Sequence, residues 1–95
     1  MRILVSGTTL KITIFLNIDT ADTATITIKD PYNNIIVNEA NFTKTADKVY
    51  SYLWTSDENE DGGVYTLIYE VTYDGYPSVM QEDIELAANR KVYLW

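Results

Sequence analysis

The sequence contains neither cysteine nor histidine. Without them there is no disulfide, no Cys/His zinc site, no histidine-based triad and no thiol nucleophile. Basic residues are scarce, 7 Lys and Arg against 14 Asp and Glu, for a formal net charge of -7. A chain so acidic is not expected to grip a nucleic-acid backbone or an anionic membrane surface, since both call for a basic patch. No apolar run approaches the ~18 residues of a membrane-spanning helix. Met1 to Ile18 is fairly apolar, but Ser6, Gly7, Thr8, Thr9, Lys11 and Thr13 interrupt it. It lacks the unbroken apolar stretch and small-residue cleavage site of a secretory leader, so none is expected and the location stays unassigned. At 95 residues the chain has room for one domain. A domain of this size buries only about 60–70% of its unfolded surface, so nearly every apolar side chain is needed in the core.

What is present is alternation. Leu10, Ile12, Ile14, Leu16 and Ile18 share one parity, against Thr9, Lys11, Thr13 and Asn17, with Phe15 the exception. A period of two means a strand with one buried face. Ala24, Ile26 and Ile28 repeat the pattern between threonines, and β-branched threonine suits a pleated surface. Asp30-Pro31-Tyr32-Asn33-Asn34 is strong turn chemistry. Short strands are expected at Ile35-Ile36-Val37 and at Phe42-Thr43-Lys44. A further strand runs from Lys48 to Thr55, with bulk on both parities, which leaves its inward face open. Tyr65, Leu67, Tyr69, Val71 and Tyr73 line one face of the longest strand. Asp74-Gly75 signals a hairpin, with Tyr76 to Leu86 as the returning strand and Ile84 and Leu86 facing in. Lys91 to Trp95 reads as a last strand. About seven or eight short strands and no helical periodicity predict an all-β antiparallel sandwich or barrel. The expected core includes Leu10, Ile12, Ile14, Ile26, Ile28, Tyr65, Leu67, Tyr69, Val71 and Leu86.

Asp61-Gly62-Gly63-Val64-Tyr65-Thr66-Leu67 resembles the D-x-G-x-Y-x-C pattern at the start of strand F in immunoglobulin-like domains, with Leu67 in the cysteine position. Asp30-Pro31-Tyr32-Asn33-Asn34, Val49-Tyr50-Ser51-Tyr52 and Thr72-Tyr73-Asp74-Gly75-Tyr76 extend the resemblance to prokaryotic and phage immunoglobulin-like modules over residues 8–86. Asn33 replaces the usual glycine of the first hairpin, and residues 87–95 form an additional strand or tail. The resemblance implies an immunoglobulin-like β-sandwich in which the Tyr65 hydroxyl closes a tyrosine corner. It implies a spacer, adhesive or docking role, in a phage or virus particle or within a larger surface protein. Fold alone does not fix function.

Sites for chemistry are few. Asp57, Asn59 and Asp61 give the first half of a calcium loop, D-x-N-x-D-G, yet the twelfth position, which should supply a bidentate Glu, is Ile68. The alternative is a solvated acidic loop, where crowded carboxylates also lack the cleft that glycosidic chemistry needs. Lys11, Glu70 and Asn89 are the candidates for an isopeptide bond, but Lys11 and Glu70 fall on outward parities. Asn41-Phe42-Thr43 is a glycosylation sequon, read as chance without a leader. No cofactor and no enzymatic activity are expected.

Binding is the remaining class. Tyr32 and Tyr76 sit at turns as candidate contact residues, and coplanar rings there would suit a carbohydrate-binding module. Arg2-Ile3-Leu4-Val5 and Val92-Tyr93-Leu94-Trp95 are terminal and strand-like. Either they add a strand to a partner or to a second copy, or they pair within their own sandwich. A structural assembly or adhesion module is therefore the leading expectation. A glycan binder is second. An acidic inhibitor mimicking nucleic-acid charge is third, and it needs its acids gathered on one face.

Overall fold

A computed structural model describes residues 2–5, 9–55 and 62–87. The strands are β1 (Arg2–Val5), β2 (Thr9–Phe15), β3 (Thr23–Lys29), β4 (Ile35–Asn41), β5 (Thr43–Ala46), β6 (Val49–Thr55), β7 (Gly63–Tyr73) and β8 (Tyr76–Ala87). They form an all-β sandwich of two sheets, ordered β1-β8-β7-β3-β4 and β2-β6-β5. All pairings are antiparallel except that of β1, which runs parallel to the end of β8 from Arg2↔Ile84 to Val5↔Ala87. Among the described residues no helix is long and apolar enough to cross a membrane.

The alternation becomes the core. Ile12 from one sheet and Ile26, Ile28, Tyr65, Leu67, Ile84 and Leu86 from the other are buried, with Leu10, Ile14 and Val71 packed at its margin. In β6 the inward face is that of Tyr50 and Trp54, while Leu53 is exposed. Aromatic rings join the sheets. Trp54 of β6 meets Tyr65 of β7 at 5.9 Å between centroids. Phe42, where the chain passes from β4 to β5, lies 6.2 Å from Tyr52 and 6.1 Å from Tyr69. Tilted and edge-on pairs of this kind add to the burial of their area.

Turn chemistry sets the registers. The Asp30 carboxylate accepts from the Tyr32 and Asn34 amides at 2.9 and 2.8 Å. Asn33, at φ 68, supplies the left-handed residue that a glycine usually gives, which asparagine tolerates. Asp74 and Gly75, at φ 51 and 79, make the tight turn with two left-handed residues that matches strand twist. Gly63 starts β7 at φ 140, where a Cβ would fall 2.7 Å from Pro31 Cγ. That close approach packs the 30–34 turn onto β7.

Three expectations need correction. The alternation from Leu10 to Ile18 is a strand only as far as Phe15, because the chain bends at 17–19 on its way to β3. The strand read at Ile35–Val37 continues to Asn41, because Glu39 at φ 48 and shifts in the β3 register absorb an irregularity that hides the period of two. The strand read from Phe42 starts at Thr43, and Phe42 itself is a buried crossover residue.

The Tyr50 hydroxyl accepts a buried hydrogen bond from the Ala21 amide at 2.9 Å, tying the β2–β3 connection to β6. Tyr50→Phe strands that amide and is expected to cost about 1–3 kcal/mol. Tyr32→Phe, at an exposed turn, is expected to stay within about 0.5 kcal/mol. Urea unfolding of both variants checks the contrast.

Candidate functional site

The two sheets are unequal, and the inequality makes a groove. β7 and β8 are 11 and 12 residues long, whereas β2 and β6 have 7 and β5 has 4. The three-stranded sheet ends at the Phe15↔Val49 pair, where the Leu16 amide donates to Lys48 O at 2.8 Å. The chain then crosses to the larger sheet, and the Asp22 amide donates to Thr72 O at 2.8 Å. This crossing covers the β3 side of the hairpin and leaves the β8 side open.

The change from sealed to open can be followed along one face. On β8 the inward residues are Leu86, Ile84, Glu82, Met80, Ser78 and Tyr76. Ile84 is 0% exposed, Met80 67% and Tyr76 76%. On β7 the same face runs from buried Tyr65, Leu67 and Tyr69 through half-buried Val71 to exposed Tyr73. The apolar pattern of the hairpin thus outlasts the sheet that covers it. Between this face and β2, which is an edge strand, lies a groove of about 810 Å³. Phe15, 78% exposed, and Val79 complete its apolar rim. Among the described residues its lining carries two acids, Asp74 and Glu82, and no base. The Tyr69 hydroxyl donates to Glu82 Oε2 at 2.7 Å, which anchors that carboxylate at the inner end.

The sequence-selected residues fall in different places. Tyr76 borders the groove, whereas Tyr32 is exposed in the 30–34 turn. β3 separates them, with Thr23 beside Thr72 at the hairpin end and Lys29 beside Thr66 at the other. Six residues of strand span about 20 Å, so the two rings cannot share one sugar-stacking platform. Tyr65 is fully buried, and residues 56–61, toward which a corner hydroxyl would bond, lie outside the described residues. Asp57, Asn59 and Asp61 lie there too, and so do Asn89, Val92, Tyr93, Leu94 and Trp95. Ile68, the twelfth position of the calcium pattern, is paired in mid-β7 with Thr27 and Gln81. Lys11 and Glu70 stand on the outward parities of different sheets, apart from each other. Arg2–Val5 pairs with β8 of its own chain.

Sequence reading passed over Phe15, Val79 and Met80. The available signal was Phe15 itself, an apolar residue on a polar parity, together with the adjacent apolar pair Val79-Met80. No family model, curated protein or solved structure matches the chain.

If the groove is open, equal insults along one face must have unequal cost. Met80→Asp is expected to change stability by no more than about 0.5 kcal/mol. Ile84→Asp, two inward positions further along, is expected to cost more than about 4 kcal/mol by burying an unpaired carboxylate. Denaturant midpoints of the two variants test this directly.

Proposed function

We propose that this chain is a non-enzymatic assembly module of the immunoglobulin-like kind, which binds protein through the groove beside β2. The sheet orders β2-β6-β5 and β1-β8-β7-β3-β4 fit strands B-E-D and G-F-C-C′ of a variable-type immunoglobulin sandwich, with β1 added parallel to the G position. Such sandwiches can carry a strand A against B, but here the first strand, β1, pairs with β8, so among the described residues the outer edge of β2 has no strand beside it. The single observation that carries the functional reading is the apolar inner face left uncovered at that position. Uncovered apolar surface beside an unpaired strand edge suits β-strand addition by a protein segment. The resemblance of the turns and of the Gly-Val-Tyr start of β7 to phage-type modules makes a particle or a surface assembly the setting this reading favours. A sugar platform gains no support from Tyr32 and Tyr76, which stand at opposite ends of β3. An acidic charge mimic gains none from acids distributed over turns and both parities of β8.

A photo-crosslinking residue at position 80, compared with one at Asp47 in the β5–β6 turn, tests the proposal in extracts of the source organism. Protein adducts are expected at position 80 and not at 47. Carbohydrate adducts alone, or equal labelling at both positions, would overturn it.

A further inference from the structure

The groove's own chemistry narrows its occupant. Its backbone wall is the edge of β2 that has no strand beside it among the described residues, so an occupant in extended conformation gains main-chain hydrogen bonds. Its floor is Tyr73, Tyr76 and Met80, so that occupant needs apolar side chains at alternate positions. Among the described residues its charged lining is the acids Asp74 and Glu82, which favour a segment carrying bases and no acids. Several strand-like segments join a base to an apolar run without any acid, and Thr9–Phe15, Thr23–Lys29 and, after Lys48, Val49–Thr55 are already strands of the sandwich. Two more lie at the ends of the sequence. One, Arg2–Val5, is already β1. The other is Arg90-Lys91-Val92-Tyr93-Leu94-Trp95.

Reach decides whose segment it is. Met80 lies seven strand residues back from Ala87, about 23 Å, and Tyr76 lies eleven back, about 36 Å. The eight residues 88–95 extend at most about 29 Å, and reversing direction after Ala87 uses part of that length. From its own Ala87, the segment 90–95 therefore reaches the level of Met80 at most and falls short of the Tyr73–Tyr76 end. A second copy has no such limit. We infer that residues 90–95 of a second copy lie along the free edge of β2 and place alternate side chains on Tyr73, Tyr76 and Met80. Arg90 and Lys91 then bring charge opposite to that of Asp74 and Glu82. Reciprocal exchange closes a two-fold dimer, and one-way insertion propagates a chain of copies.

This inference rests on the assembly reading of the same groove and deepens it by naming the partner. Sedimentation velocity of the full chain is expected to show association in the micromolar range. Leu94→Asp in the segment, or Met80→Asp in the groove, is expected to weaken it by about tenfold or more. Mixing these two variants is expected to restore a complex, because the intact segment of one meets the intact groove of the other. A monomeric full chain, or variants that associate as well as the parent, would overturn the inference. So would a mixture that stays monomeric. The chain has no cysteine of its own, which permits a second test that does not rely on acidic variants. A Met80→Cys copy mixed with a Leu94→Cys copy and oxidised with diamide is expected to give a linked heterodimer well above a Met80→Cys with Asp47→Cys control. Equal yields would overturn it. If the full chain is monomeric while the crosslinker at position 80 still captures a foreign protein, the second-copy assignment falls and the assembly reading stands. Failure of both removes both.

Discussion

The β7–β8 pairing governs the molecule. It runs in unbroken register from Tyr73↔Tyr76 to Gly63↔Leu86, started by the two left-handed residues of Asp74-Gly75. Because side chains alternate with period two, a slip of β8 by one residue against β7 would turn Ile84 and Leu86 outward while Tyr65 and Leu67 stayed inward. The same register that seals these residues also aims Met80 and Tyr76 inward, at a level the smaller sheet does not reach. Core and groove are thus two lengths of a single face. Where Trp54 and Ile12 stand opposite it, the face is core. Where no strand stands opposite, it is surface.

The end of the smaller sheet is equally determined. Leu16 and Lys48 close β2 against the β5–β6 turn, and Lys48 at φ 68 reverses the chain there. The Tyr50 hydroxyl then holds Ala21, so the crossing strand is fixed before it joins β3. Lengthening β2 alone would not cover β8, because the chain leaves toward Thr72 on the far side of β7. The opening is therefore a product of connectivity, and the side chains bordering it need not be poorly packed for it to exist.

Much of this was legible in the sequence, for a simple reason. Strands with one wet face write themselves as alternation, and Leu10 to Ile14, Ala24 to Ile28 and Tyr65 to Val71 do so plainly, although the same alternation runs on through Leu16 and Ile18, where the strand has already ended. Asp30-Pro31 and Asp74-Gly75 are turns whose chemistry is local, so they too could be read without a structure. β4 could not be delimited, because Glu39 takes a left-handed backbone and breaks the period. Nor could β6 be oriented, since Tyr50, Tyr52, Leu53 and Trp54 put bulk on both parities. The groove was hidden for a different reason. Met80 and Tyr76 carry the inward parity of a core strand, and nothing in their neighbourhood reports how far the opposite sheet extends. Exposure of an inward residue depends on a strand some thirty or more positions away in the chain.

That dependence bears on why an acidic chain would keep such a surface open. An apolar inner face beside a free strand edge invites unspecific pairing, and edges of this kind are usually guarded by charge. Here the guard is placed around the groove. Asp74 stands at the hairpin tip, Glu82 is anchored by Tyr69 at the inner end, and among the described residues no base lines the space between them. Repulsion among acidic copies opposes random edge-to-edge contact, and under the proposed assembly a segment that carries its own bases would meet no such repulsion. Selectivity of this sort needs no added side-chain network. It follows from leaving one face uncovered and giving its rim a single sign of charge.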